Sequence, residues 1–421
     1  MFKLKNWQLA IPLMLVSSFS QALSLQSILQ SSLQNDPDVR EAAANIESAH
    51  MRTEQAKGQH WPIISLTGNK LLSQYHDDKS DYNKKSFVPG VKGEINLYSF
   101  GAIDAEVDRN LMESRYYQHQ FNATKEEVGY TIAELYLRAL MAKEAIGVMK
   151  KSLARHEAIL NDIGAITDSD IGRESEYVQA EARLLMVEQD INNYERELAS
   201  TLTSLAKYIK HNIDSKELED PFKQVNIQTL LAAYAGSRET NPTYQAQQAQ
   251  LDTARADQKL EQRKRLPKLN LVGSATTEDR TLGLSVSWDI LNNPASYVVR
   301  EKATILAAAH ERLDRVSRDI EDSARLAQVN IEQYQRQLKT LKAQAISSAK
   351  VVEFYKLQFD IARRTLLDVL NAERELFNVE LSQVMTTNSL RTSILEYLRS
   401  QGMLASWAGV KPSGVVELNF K

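Results

Sequence analysis

Leu282-Gly283-Leu284-Ser285-Val286-Ser287-Trp288-Asp289-Ile290 alternates apolar with small or polar residues, without a break. A period of two is the mark of a β-strand with one apolar face. Val91-Lys92-Gly93-Glu94-Ile95-Asn96-Leu97 does the same, with Val91, Ile95 and Leu97 on one side and Lys92, Glu94 and Asn96 on the other. These segments predict strands at about 89–99 and 281–291, and weaker alternation predicts two earlier ones at about 63–72 and 269–277. A soluble half-buried sheet would show the same alternation. Two features favour a bilayer instead. Each strand is near the ~9–11 residues that cross it when tilted. Trp61, Tyr98 and Trp288 stand at strand ends, where an interfacial aromatic girdle sits. Four strands cannot close a barrel, and in lipid every unpaired edge group costs several kcal/mol. The sheet therefore requires other copies of the chain.

The strands belong to a chain written twice. Asn35-Asp36-Pro37 recurs as Thr240-Asn241-Pro242, Trp61-Pro62 as Leu266-Pro267, and Leu66 and Gly68 as Leu271 and Gly273, all at an offset of 205. Farther on, Glu176-x-x-x-Ala180-Glu181 matches Asp368-x-x-x-Ala372-Glu373 at an offset of 192. The difference places an insertion in the first half, in the polar loop around Tyr75-His76-Asp77-Asp78. Each half reads helix, strand, strand, helix, helix. The first repeat covers 23–212, with a hairpin of helices at 102–210. A linker at 213–226 leads to a second repeat at 227–402, with a hairpin at 295–400 and a tail at 403–421.

The long helices carry heptads. From Ile132 to Leu160, and again from Ile331 to Phe359, apolar and small residues alternate spacings of three and four. That period demands a supercoiled partner, which the returning arm of each hairpin supplies. Ala139, Ala142, Ala345 and Ser348 on these seams imply close packing. No proline interrupts 102–162, on the order of 90 Å of helix at ~1.5 Å per residue.

At the N-terminus, Lys3 and Lys5 precede the apolar run Leu9–Val16, and Ser20-Gln21-Ala22 follows, the layout of a signal peptide over 1–22. The run is shorter than the ~20 residues of a spanning helix. With no cysteine there is neither a disulfide nor a lipidated Cys anchor in this sequence. A net charge of −3 argues against a nucleic-acid partner. The seven histidines are scattered, without a His-Glu-x-x-His pair, and there is neither a phosphate loop nor a Gly-x-Ser-x-Gly elbow. No catalytic residue, metal site or cofactor is expected.

The stretch Arg364-Thr365-Leu366-Leu367-Asp368-Val369-Leu370-Asn371-Ala372-Glu373-Arg374-Glu375-Leu376-Phe377 resembles the signature of the TolC family of outer-membrane export ducts. The resemblance extends through the Asn/Asp-Pro helix starts, the strand pairs and the duplication. It implies a mainly α fold with a small β part. Three copies would form a twelve-stranded β-barrel in the outer membrane that continues into an α-helical coiled-coil barrel across the periplasm. It further implies, as partners, a periplasmic adaptor and an inner-membrane transporter, ATP-driven or proton-driven. Its cargo is protein, by type I secretion, or alternatively a small molecule or drug. A periplasmic coiled-coil adaptor or tether without a pore is the reading from another class. In the family the distal turns form a closed gate. Carried over, the gate arginine is Arg364, its acidic partner Glu176 and a ring aspartate Asp368. Asn371 stands where some members have a second aspartate, Ala362 and Pro294 replace glycines, and the first-half turn, Gly164 to Gly172, is longer.

Overall fold

The computed structural model describes residues 24–70, 87–209, 213–277 and 279–410. The expected signal peptide at 1–22, the polar loop around Tyr75–Asp78 and the end of the tail lie outside the described residues. Helices dominate: α1 (Leu25–Asn35), α2 (Pro37–Gly58), α3 (Ala102–Thr167), α4 (Glu174–Ala206), α5 (Ile227–Ala233), α6 (Pro242–Arg263), α7 (Asn293–Asp360), α8 (Leu366–Ser400) and α9 (Leu404–Trp407). Four strands, β1 (Ile63–Lys70), β2 (Phe87–Tyr98), β3 (Lys268–Thr276) and β4 (Arg280–Ser287), form one antiparallel sheet in the order β1-β2-β3-β4.

The duplication is visible in the caps. The Asp36 carboxylate accepts from the backbone N–H of Asp38 at 2.9 Å, and Pro37 is the first residue of α2. The Asn241 side chain accepts from Thr243 at 2.8 Å, and Pro242 opens α6. Proline is favoured there because its missing N–H would have no helical partner anyway. In the second half the residues before this Asn-Pro cap form a separate short helix, α5, and the cap starts α6.

Other boundaries differ from the sequence reading for local reasons. β4 ends at Ser287 rather than near 291, although the alternation runs on through Trp288 and Ile290. Asn292 accepts from the N–H of Ala295 at 3.1 Å, and Pro294 lies in the first turn of α7, so capping overrides the strand pattern. The first-half turn is short: α3 continues through Gly164 to Thr167, with Tyr177 packed over that glycine. A single 3₁₀ turn at Ile171–Arg173 then leads into α4.

α3 pairs with α4, and α7 with α8, and the two hairpins meet where α3 packs on α8. The largest core lies midway along α3. Ile132, Tyr136 and Leu137 are packed there with Leu29, Leu205, Leu398 and Trp407. Polar bonds tie the inter-repeat linker to this core. The buried Arg391 guanidinium donates to both Glu144 oxygens at 2.8 Å and to Asp220 at 2.8 Å. Tyr136 Oη donates to the Glu219 carbonyl at 2.9 Å. The Glu126 carboxylate, inside the same region, accepts the N–H groups of Leu404 and Ala405 at 2.9 and 3.0 Å and so holds α9 in place.

Candidate functional site

Two places bear on function: the sheet, and the far ends of the hairpins. Register sorts the sheet residues. Leu66 faces Val91, Val91 faces Ala275, Ile95 faces Leu271, and Leu271 faces Leu284. Directly opposed residues share a face, so these apolar side chains, with Ile64, Leu282 and Val286, cover one side of the sheet. Leu66 is 86% exposed, Leu282 77% and Val286 69%. Nothing among the described residues covers them.

The other side is polar and internally bonded. Asn96 donates to Asn270 at 2.7 Å, Asn270 donates to Glu94 at 2.9 Å, and Ser274 and Thr281 share a 2.7 Å bond. Lys92 lies 3.6 Å from Glu94. A sheet apolar and bare on one face and polar on the other is arranged like a stave of a membrane barrel. The outer edges of β1 and β4 have no strand partner among the described residues.

The three expected girdle aromatics gather at one end of the sheet. Trp61 precedes β1, Tyr98 ends β2 and Trp288 follows β4, all where the strands join the helices. A β-bulge between Asn96 and Tyr98 sets Tyr98 opposite Leu269. Without that extra residue the alternation would turn Tyr98 to the polar side; with it, the ring falls in the apolar row and meets Phe100 edge-on at 4.6 Å. Trp288 Nε1 donates to the Arg265 carbonyl at 3.2 Å.

At the far end, the turns of both hairpins share a small core of Ile159, Ile163, Ala180, Leu366, Val369 and Leu370. The pair expected between Arg364 and Glu176 is not formed within the chain. Glu176 accepts from Arg173 at 2.6 Å, three residues before it. Arg364 donates to Gln358 at 3.2 Å and stacks over Tyr355 at 4.4 Å. Proximity in sequence decides both partnerships, since each group finds its partner without ordering a second hairpin. At these turns Arg173 reaches across to the other hairpin and lies over the Phe359 ring at 5.3 Å.

Asp368 is held by its own helix. Its N–H donates to Thr365 Oγ1 at 3.3 Å, and its carboxylate accepts from the Thr365 N–H at 3.1 Å and hydroxyl at 2.9 Å. This capping box opens α8. The Thr365 N–H first, and then its hydroxyl, keep the Asp368 carboxyl below the usual carboxylate range. Arg364 approaches Asp368 only to 3.9 Å. Asn371, one turn on, is exposed. Ala362, where the resemblance would place glycine, adopts φ +58°, the left-handed conformation that glycine takes without cost.

A buried polar contact between the hairpins, nearer their far ends, was not singled out from the sequence. Glu373, with a fully buried side chain on α8, accepts from Arg155 Nε of α3 at 2.7 Å, and its other oxygen lies 3.1 Å from Lys356 Nζ of α7. Arg155 also reaches Glu380 at 3.0 Å. The signal was available: Glu373 occupies the apolar seam Leu366, Val369, Leu370, Leu376, where a carboxylate must find cations. Among the described residues no group of His, Cys, Asp or Glu is placed to hold a metal ion.

Comparison with known proteins fits this geometry. The family model described as "Outer membrane efflux protein" matches residues 28–209. Outer membrane protein TolC of Salmonella enteritidis is 22% identical over 401 residues, covering 86% of this chain and 79% of its own length. TolC of Vibrio cholerae is 20% identical over 410 residues, 93% of each. Among solved structures, the outer membrane protein VceC of Vibrio cholerae superposes with a TM-score of 0.78 at 12% identity, over 90% of this chain and 96% of its own. The outer-membrane channel OprN gives 0.76 at 16% identity, over 90% and 89%. These structural likenesses concern the fold, with its few strands joined to long helical hairpins. Together with the amphipathic sheet they lead to one conclusion: the chain matches the outer membrane efflux protein family over residues 28–209 and is similar along its length to the outer-membrane protein TolC.

Proposed function

We propose that three copies join β4 of one to β1 of the next, closing twelve strands into a barrel whose polar face lines the lumen. The hairpins α3–α4 and α7–α8 then form a helical tunnel on the periplasmic side. The assembly is a passive duct: an inner-membrane transporter, ATP-driven or proton-driven, delivers cargo through a periplasmic adaptor. The observation that carries this reading is the sheet, with a bare apolar face, a bonded polar face and two open edges. In lipid, open edges are tolerated only if they pair. A soluble tether would have no use for such a surface.

Protein secretion is the favoured cargo class over small-molecule efflux. Its support is the run from Arg364 to Phe377, which resembles the type I secretion branch slightly better. The distal turns form the constriction, with Arg364, Asp368 and Asn371 near the axis and Glu176 on the neighbouring hairpin. In this chain Arg364 and Glu176 are each held locally, so a latch through either acts between copies. The test is planar-bilayer recording on heat-modifiable oligomers. Wild type should conduct weakly, and Arg364→Ala and Glu176→Ala should both conduct more. Unchanged conductance in both variants discards the latch, and a detergent-free, soluble single copy discards the duct.

A further inference from the structure

The duplication builds the corner between a helix and the sheet twice. In the first half it reads Gly58-Gln59-His60-Trp61-Pro62-Ile63, and at the offset of 205 it reads Arg263-Lys264-Arg265-Leu266-Pro267-Lys268. One corner carries an aromatic ring and the other carries four cations. In the first corner, the only side chain of those six that can carry positive charge, His60, lies 3.6 Å from Asp104. In the second, Lys264 is paired with Glu261 at 2.7 Å. Arg263, Arg265 and Lys268 are exposed and have no ion pair among the described residues. This basic corner sits where β3 begins. The exposed Trp288 is bonded to the Arg265 carbonyl, and the exposed apolar pair Ile290 and Leu291 lies just beyond.

The placement matters more than the charge count. The apolar face of the sheet ends at this corner and the helices begin, so Arg263 and Arg265 lie at the level of lipid headgroups, whereas Lys268, opposite Ser287, stands in the polar row. From the duct reading above, on which this rests, the leaflet is the periplasmic one. We infer that Arg263 and Arg265 form a docking surface for anionic phospholipid headgroups, with Trp288 seated beside them at the interface. Each guanidinium can take two phosphate oxygens at once. Basic residues at this depth attract anionic lipid, and salt screens that attraction. Three copies would repeat the surface around the barrel's rim and fix its depth in the membrane.

The full chain, purified in detergent, is reconstituted into vesicles of phosphatidylcholine alone and of phosphatidylcholine with phosphatidylglycerol. It is then re-extracted, and the retained lipids are counted by native mass spectrometry. Wild type should retain phosphatidylglycerol above its share of the bilayer, and the excess should fall as sodium chloride rises. R263Q/R265Q should lose that excess by roughly tenfold, while Lys57→Gln, whose cation is already paired with Glu54, should keep it. Equal retention by the double variant overturns the inference, as does a wild-type excess indifferent to salt, a readout that stands even if the variant does not assemble. Displacement of the lipid by inorganic phosphate would reassign the surface to free phosphate and overturn it too. Insertion without lipid preference sinks only this inference. Failure to insert in either vesicle sinks the membrane reading beneath it.

Discussion

α3 and α7 occupy equivalent places in the two repeats and have 66 and 68 residues, yet 24 residues of α3 are buried and only six of α7. The difference lies in their neighbours. α3 is packed by α2, α4, α6 and α8, whereas α7 packs chiefly on α6 and α8. Along α7, Leu326, Val329, Ile346 and Phe354 remain exposed. Duplication thus copied a helix without copying its surroundings. α3 became the spine of the single chain, and α7 kept an apolar flank of the kind another copy would cover.

The largest test of this asymmetry compares Leu137 on α3 with Val329, 192 positions later on α7. Leu137 is 1% exposed and Val329 49%. Leu137→Ala should cost about 3–4 kcal/mol in urea unfolding of the detergent-solubilised chain. Val329→Ala should change unfolding by less than ~0.5 kcal/mol while lowering the temperature at which oligomers dissociate on a gel. A large unfolding loss at Val329 would break the contrast.

Charge hidden in α3 gives the next effect. Burial pushes the Glu126 pKa up to about 7, against the pull of its two N–H donors. Its folded value thus exceeds the ordinary one, and the neutral form is favoured in the fold. The resulting stability is complete below about pH 4.5 and is lost as pH rises through about 7. The span is about 3 kcal/mol. Unfolding measured across that window should show it in wild type and lack it in Glu126→Gln.

Both long helices also grip Glu373, and unequally. Arg155 of α3 is 23% exposed and Lys356 of α7 35%. Arg155→Ala should destabilise by about 2 kcal/mol and Lys356→Ala by about 1, by the same measurement. Equal losses would mean that α7 holds the distal end as firmly as α3. The smallest effect lies at the end of α7. Ala362→Gly relieves a left-handed alanine and should stabilise by about 0.5–1 kcal/mol, raising the unfolding midpoint slightly.

Much of this architecture could be read from residues alone, because repetition and periodicity are local properties. The strand pairs, the Asp-Pro and Asn-Pro caps and the heptads all declare themselves within a few residues. What stayed hidden depends on competition between neighbours. The Trp288–Ile290 alternation reads as strand until Asn292 and Pro294 start a helix. Gly164 reads as a turn, yet it gives room to Tyr177 within α3. Arg364 and Glu176 look like partners across two hairpins, but Arg173, Tyr355 and Gln358 reach them first within the chain. Glu373 could have been noticed as a carboxylate in an apolar seam, although its cations come from helices that only the folded chain brings together.

The free edges of the sheet come from different repeats, β1 from the first and β4 from the second. In the proposed trimer, neighbours therefore meet unlike to unlike, head to tail, as links in a ring and never as mirror-like pairs. A ring of that kind is only as sound as its worst member. A copy with a proline set into β4 could still accept a neighbour on β1 while offering none on the other side, so it would terminate the chain of links. Such a variant would be dominant, disabling the sound copies it joined in the same cell.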